Sequence, residues 1–432
     1  MTPAARLEAA IALLEVIESA PRKPADAVAN DFFRARRYIG GGDRRAVSER
    51  AWSVLRAMRR LTWWLERASP GGATPRLLVA GALLLEGSSI EAVDALFAGG
   101  QYAPAPLEGA ERVAIRALSG QRLNHPDMPQ AVRLEVPDWL LPGLAARFGA
   151  DLEAELGALS RSAPLDLRVN LLKSTREQAI AALAAEAIEA SPMRYSPWGL
   201  RIAGRKPVTT GAAFRNGLVE IQDEGSQLVA LLLGARPGMR VADYCAGAAG
   251  KTLAVAMMMQ NQGHIVACDV SVPRLEGAVR RLRRADIHNV ERHLLVPGDK
   301  WTKRRAGGFD RVLVDAPCTG TGTWRRNPDA RLRLAPSDLA ELRVKQAAIL
   351  ADAARLVRKG GRIVYATCSV LPEENEEQVD LFLSRHPDFA VLPIARAWEA
   401  PGTPPESGAY LVLSPCLHGT DGFFAAVLER AA

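Results

Sequence analysis

The chain has 432 residues, 48% hydrophobic and 24% charged, with a formal net charge of +7. That length carries two or three domains with sizeable cores, and the composition excludes wholesale disorder, a collagen-like repeat and a disulfide scaffold. The positive balance suits a polyanionic partner without identifying one. Apolar runs such as Leu77–Leu85 fall short of the roughly 18 residues that a membrane span needs. Glu8, Glu15 and Glu18 interrupt the N-terminal apolar pattern, which reads as an amphipathic helix and not as an export signal. Five scattered cysteines without a CxxC pair fit a reducing cytoplasm and no metal site.

Residues 1–132 read as all helix. Val47, Ala51, Val54, Met58, Leu61 and Leu65 recur at helical spacing and predict one amphipathic helix, with Asp43 ahead of it as a cap. Pro75 opens a helix through Leu77–Leu85, and Ser88 or Ser89 another through Ala92–Phe97. Residues 133–215 read as a small α/β unit. There, strands Leu165–Asn170 and Trp198–Ile202 flank a helix that Ser174 and Glu177 open as a capping box and that runs to about Ala187. From 216 to 432, strands Arg240–Tyr244, His264–Asp269, Arg292–Val296, Arg311–Asp315 and Arg362–Thr367 alternate with helices. The helices are Lys251–Gln260, Pro273–Asp286 and Ser337–Val357. The fold class is therefore multidomain, ending in an α/β Rossmann-like domain with a mostly parallel sheet. Ligands of such sheets bind beyond the carboxyl ends of the strands.

Asp243-Tyr-Cys-Ala-Gly-Ala-Ala-Gly-Lys-Thr252 leads a strand through a turn of small residues into a helix. Gly247 and Gly250 let the backbone approach a ligand, and the helix start offers unpaired N–H groups. The G-x-G-x-x-G spacing of a dinucleotide site is missing. Gly250-Lys251-Thr252, with Val314-Asp315, comes near a phosphate-binding loop, but Cys245 stands where its first glycine is needed. A binding turn for S-adenosylmethionine and a purely structural turn are the other readings. Asp269 ends the next strand, where a carboxylate can accept from both ribose hydroxyls, and Asp299 follows the third, placed to meet an adenine amino group. Each alone is as readily a helix cap, a role open to Ser271 here; in series they favour an adenosine ligand.

Pro317, Gly320 and Gly322 turn the chain after the fourth strand and lift Cys318 into the ligand crevice. Cys368, at the end of the fifth strand, faces the same crevice. A single cysteine is commonly a small buried hydrophobe, the reading given to Cys245, Cys268 and Cys416. Two at adjacent strand ends, beside Asp315, Thr367 and Ser369, point to chemistry. Arg280, Arg281, Arg283 and Arg284 read equally as a solvated helix face or as phosphate contacts, and Lys303–Arg305 add further charge. Arg325, Arg326, Arg331 and Arg333 follow Trp324, a pattern that predicts phosphate contacts with an aromatic for base stacking. The six histidines show no triad order or ligand spacing.

Gln222-Asp-Glu-Gly-Ser-Gln227, Asp243–Thr252, Asp269, Asp299, Asp315-Ala-Pro-Cys318, Ala366-Thr-Cys-Ser369, Pro372-Glu-Glu-Asn-Glu376 and a closing stretch from Pro415 to Phe424 occur together. With them the chain resembles the Sun/Fmu-type (RsmB/NOP) family of RNA 5-methylcytosine methyltransferases. The match is strong over the C-terminal half. The helical region resembles, less specifically, the NusB-like RNA-binding domain of the bacterial rRNA members. One turn departs from the family's Cys-Ala-Ala-Pro-Gly-Gly-Lys: here Cys245–Lys251 reads Cys-Ala-Gly-Ala-Ala-Gly-Lys. An altered turn and weaker cofactor affinity are expected, with function retained.

The resemblance implies an enzyme that takes a methyl group from S-adenosylmethionine to C5 of an RNA cytosine. The cofactor residues it implies are Cys245, Ala246, Gly247, Ala248, Ala249, Gly250, Lys251, Asp269, Asp299 and Asp315. Cys368 is then the nucleophile that adds to C6, and Cys318 helps to remove the C5 proton. Asp315 bonds the N3/N4 edge of the base, and Lys251 orients the base or lowers a thiol pKa. The implied partner is RNA, small-subunit rRNA ahead of tRNA, naked or in a ribosomal particle, and the protein is expected to be monomeric. A P-loop-like ATPase, dependent on Lys251 and not on Cys368, and a non-catalytic RNA-binding assembly factor are the readings from other classes.

Overall fold

Strand structure begins at Leu165, and the described elements before it are all helices. The computed structural model describes residues 1–68, 71–204 and 206–432. Among them no helix is long and apolar enough to cross a membrane. The chain forms two units, Met1–Arg161 with Trp324–Ala335, and Ser162–Thr323 with Pro336–Ala432.

In the first unit the single helix expected over Val47–Leu65 is two, Gly41–Arg56 and Met58–Ala68. Ala57, at φ −114° and ψ 17°, leaves helical geometry and interrupts the ladder. The spacing persists across the break because Val47, Ala51, Val54, Leu61 and Leu65 all enter one core. Asp43 lies inside the first turn, so it does not cap; it binds Arg6 Nε at 2.7 Å and the terminal ammonium at 3.2 Å. Thr74 and Ser89 do cap, accepting from Leu77 N at 3.3 Å and Ala92 N at 3.2 Å.

The second unit begins with β1 (Leu165–Val169), β2 (Ala190–Pro192), β3 (Gly199–Ile202) and β4 (Val219–Ile221), an antiparallel sheet ordered β2-β3-β1-β4. Its helix, Arg176–Ala184, opens on a capping box of Thr175 and Gln178, one residue beyond the expected Ser174 and Glu177. Thr175 holds the extended backbone a cap requires, while the Ser174 hydroxyl donates to Thr175 O at 3.0 Å.

The larger sheet contains β5 (Arg240–Asp243), β6 (His264–Asp269), β7 (Val290–Leu294), β8 (Phe309–Asp315), β9 (Val357–Thr367), β10 (Phe389–Val391), β11 (Leu411–Leu413) and β12 (Phe423–Arg430). Its order is β10-β12-β9-β8-β5-β6-β7, with β11 on β12. β5 to β9 run parallel and β10 to β12 antiparallel. Alternate residues fill opposite faces: Val241, Leu313 and Val364 enter one core, and Ala242, Val312 and Ile363 the other. β5 lies between β6 and β8, so the order reverses there and a crevice opens beyond Asp243.

Candidate functional site

Asp243 closes β5 in full burial, and that burial raises its carboxyl pKa to about 7. Thr252 Oγ1 donates to Asp243 Oδ2 at 2.7 Å, while the buried Oδ1 has no partner among the described residues. The turn that follows has Gly247 at φ +54° and Ala249 at φ +63°, both left-handed. For alanine that geometry costs about 1–2 kcal/mol. Position 249 of the turn is thus built with an alanine where glycine is the easy residue.

Four groups hold it. Asp269 Oδ2 accepts from Gly247 N at 2.8 Å, and Cys268 O from Ala246 N at 2.8 Å. Arg281 Nη1 donates to Ala248 O at 2.8 Å, and Arg168 Nη1 to Gly250 O at 2.9 Å. Arg168 lies on β1, buried, with a pKa that burial lowers to about 10, so it stays cationic at neutral pH. Sequence reasoning missed it. The available signal was an arginine in Leu165-Asp-Leu-Arg-Val169, on a strand with too few residues to waste one. A Cβ added at Gly247 would meet nothing within 4 Å, so the space over the turn is open. Open backbone, the unpartnered Asp243 oxygen and the Asp269 carboxylate fit a cationic adenosine compound such as S-adenosylmethionine.

Asp299 follows β7 on the same side, with Oδ2 against His293 Nε2 at 2.7 Å and Oδ1 accepting from Trp301 N at 2.8 Å. The His293 hydrogen bond holds that carboxyl below its usual value. Ser271 begins the helix Val272–Ala285 without a side-chain cap; its backbone N–H donates to Asp269 Oδ1 at 2.8 Å.

β8 and β9 end side by side, with Asp315 opposite Ala366. This brings Cys318 Sγ to 3.4 Å from Cys368 Sγ, both half-buried. The hydrogen bond with Cys368, and then burial, push the Cys318 thiol well above its ordinary value. Lys251 Nζ, at the start of the helix after β5, donates to Asp315 Oδ2 at 2.7 Å. Burial pulls the Lys251 ammonium toward neutrality, but the Asp315 carboxylate outweighs it and leaves the pKa raised. Lys251 is therefore committed to Asp315, where a phosphate-binding loop needs it over its own backbone.

The Cys318 loop is fixed on every side. Glu374 accepts from Thr319 N at 2.9 Å, Thr319 Oγ1 at 2.5 Å and Gln346 Nε2 at 2.9 Å. Gln346 also donates to Pro317 O at 2.9 Å. Gly322 N donates to Cys368 O at 3.0 Å, and a Cβ at Gly322 would stand 2.2 Å from Gly422 O, so only glycine fits. Among the other cysteines, burial raises Cys245 and Cys268 far from reactivity. Cys416 departs from expectation: it is exposed, because its four-residue helix buries Pro415 instead.

The arginines also sort themselves. Arg280 and Arg283 are exposed, while Arg281 and Arg284 pair with Glu220 on β4 at 3.4 and 2.5 Å. The stacking role expected of Trp324 is corrected: its side chain is 0% exposed and offers no face to a base. Arg331 is 1% exposed, donating to Ser160 Oγ at 2.9 Å and Arg56 O at 3.0 Å, and Arg333 pairs with Asp329 at 2.8 Å. This stretch belongs to the helical unit and serves its packing.

Residues 230–429 match the family described as 16S rRNA methyltransferase RsmB/F, and residues 136–209 the ferredoxin-like domain of RsmF/B-like methyltransferases. The probable ribosomal RNA small subunit methyltransferase B of Synechocystis sp. is 32% identical over 90% of this chain and 92% of its own. The ribosomal RNA small subunit methyltransferase B of Serratia proteamaculans is 31% identical over 91% and 92%. Of solved structures, PH0851 superposes with a TM-score of 0.79 at 26% identity, covering 100% of this chain and 99% of that one. A methyltransferase homolog from Pyrococcus horikoshii gives 0.61 at 27% identity, over 71% and 100%.

Proposed function

The chain belongs to the RsmB/F family of 16S rRNA methyltransferases, and from that premise we propose that it methylates C5 of a cytosine in small-subunit rRNA through a covalent adduct on Cys368. The observation that carries the reading is the pair of sulfurs 3.4 Å apart at adjacent strand ends, beside the Lys251–Asp315 ion pair. The cofactor residues are the Cys245–Lys251 turn with Asp269, Asp299 and Asp315; when bound, S-adenosylmethionine supplies an electrophilic methyl group.

Cytosine C5 is a weak carbon nucleophile. Cys368, as thiolate, adds to C6, and the π electrons of the C5–C6 bond move toward C5. Asp315, oriented by Lys251, accepts from the N4 amino group and so fixes the base at its N3/N4 edge. After transfer C5 carries both a methyl group and its original proton. Cys318, having lost its own proton to solvent, takes the C5 proton; the electron pair restores the C5–C6 double bond and Cys368 leaves as thiolate. A base-paired target has to be turned out of its helix or presented in a loop. Residues 1–132 and 133–215 are assigned to RNA engagement and 216–432 to chemistry, in a monomer acting on naked rRNA or a ribosomal particle in the cytoplasm.

The test uses methyl-labelled S-adenosylmethionine and unmodified total RNA, with wild type and Cys368→Ala, followed by digestion to nucleosides. Label in 5-methylcytidine of small-subunit rRNA with wild type only is the expected result. Label in tRNA would change the substrate, and label with both proteins would remove Cys368 from its role.

A further inference from the structure

The peptide plane joining Ala248 and Ala249 is gripped at both ends. Its N–H donates to Ala246 O at 2.8 Å and its carbonyl accepts from Arg281 Nη1 at 2.8 Å. Beyond Ala249, whose carbonyl accepts from Leu253 N at 3.0 Å, Gly250 O accepts from Arg168 Nη1 at 2.9 Å. The left-handed alanine therefore lies between two arginine-held carbonyls. Neither arginine is placed by the large sheet alone. Arg168 is part of β1, also bonded to Gln222 Oε1 at 2.5 Å, and Arg281 is braced by Glu220 of β4 at 3.4 Å.

We propose that Arg281 and Arg168 are positioning residues for the cofactor turn, and that they hold Ala249 in a backbone conformation that alanine alone would leave. The inference rests on the reading of Cys245–Lys251 as that turn. An L-residue released from left-handed geometry relaxes to negative φ. Relaxation at Ala249 rotates the 248–249 plane and displaces the N–H groups beneath the open space over Gly247. Glycine at 249 has no such bias, so a turn with glycine there depends less on its anchors. The small antiparallel sheet thus contributes to cofactor affinity without touching the cofactor.

The experiment is a double-mutant cycle read by calorimetric titration of S-adenosylhomocysteine, with the melting temperature of each ligand-free variant as a check on folding. Arg281→Ala is expected to weaken Kd by about tenfold in the native background and by no more than about twofold in Ala249→Gly. In turnover, KM for S-adenosylmethionine rises while kcat and KM for RNA stay within about twofold, the pattern of lost uniform binding. Arg281→Lys, which retains a cation beside Glu220, recovers part of the loss. Arg284→Ala removes the other partner of Glu220 without touching the turn and leaves Kd within about twofold. An equal loss from Arg281→Ala in both backgrounds, or no loss in either, overturns the inference. Wild-type protein that fails to bind S-adenosylhomocysteine overturns the cofactor reading itself, and the inference with it.

Discussion

A thiol beside a second thiol is a poor base until its neighbour has been consumed. The first cause of the raised Cys318 pKa is its hydrogen bond with Cys368, and that cause vanishes once Cys368 Sγ is bonded to carbon. In the proposed mechanism, adduct formation therefore prepares Cys318 for the step that follows. Cys318→Ala should stall after methyl transfer, with turnover lower by about 100-fold or more and a methylated RNA–protein adduct visible on denaturing gels. In wild type, single-turnover release of the adduct should accelerate as pH rises through the thiol range, because the thiolate is the active form. A pH-independent release rate would remove Cys318 from that step. Asp243 gives a second pH effect of determinable sign. Burial raises its folded-state pKa to about 7, against about 3.9 unfolded. Its contribution is thus fully present below about pH 4 and is lost as pH rises to about 7, on the order of 4 kcal/mol. Asp243→Asn keeps an acceptor for Thr252 and cannot ionise. The stability difference between wild type and this variant, from urea melts, should shift against wild type between pH 4 and 7 and stay level above.

At the scale of elements, the loop after β8 owes its shape to Glu374 on a neighbouring single turn of helix. Glu374→Ala removes both acceptor oxygens and leaves the donors on Thr319 and Gln346 unmet. A loss of about 2–3 kcal/mol is expected for leaving these buried donors unsatisfied. kcat should fall through misplacement of Cys318 while the S-adenosylhomocysteine Kd is unchanged; a parallel loss in Kd would mean that the loop also shapes the cofactor side. Four of the five parallel strands were legible within about two residues; β9 was legible only at its Thr367 end, because its start, Val357-Arg-Lys-Gly-Gly361, is polar and glycine-rich where a buried parallel strand is a continuous apolar run. The meeting of Cys318 and Cys368 was legible too, since adjacent strand ends must converge. The break at Ala57 was not, because both helices bury the same stripe and nothing in Arg56-Ala-Met58 signals a stop. Nor was the Thr175 cap, where two neighbouring hydroxyls compete and backbone geometry decides.

For the molecule as a whole, sequence order conceals which body a residue serves. Trp324–Ala335 directly follows the Cys318 loop in the chain, and its arginines and tryptophan look like an RNA surface for that reason. Pattern alone cannot tell an exposed Trp-Arg cluster from a buried one, because arginines are buried only when carbonyls and hydroxyls elsewhere in the chain meet them. Here those partners are Arg56 O and Ser160 Oγ, some 170 to 275 residues away in sequence. Asp329 in the same stretch shows the purpose most clearly. It is buried, and its Oδ2 accepts from Ala25 N at 3.0 Å, at the first position of the helix Ala25–Ala35, whose own preceding residue, Pro24, supplies no side-chain cap. A carboxylate there satisfies a free N–H and meets the positive end of the helix dipole. Asp329→Ala should therefore cost about 1–2 kcal/mol. Removing the carboxylate also leaves Arg333 without its 2.8 Å partner, and that half-exposed guanidinium turns to water at little further cost. In differential scanning calorimetry the loss should appear in the transition of the helical unit. The transition that S-adenosylhomocysteine raises should stay in place, and its Kd should remain within about twofold of wild type. Equal lowering of both transitions would mean that the chain melts as one body and that Asp329 serves all of it.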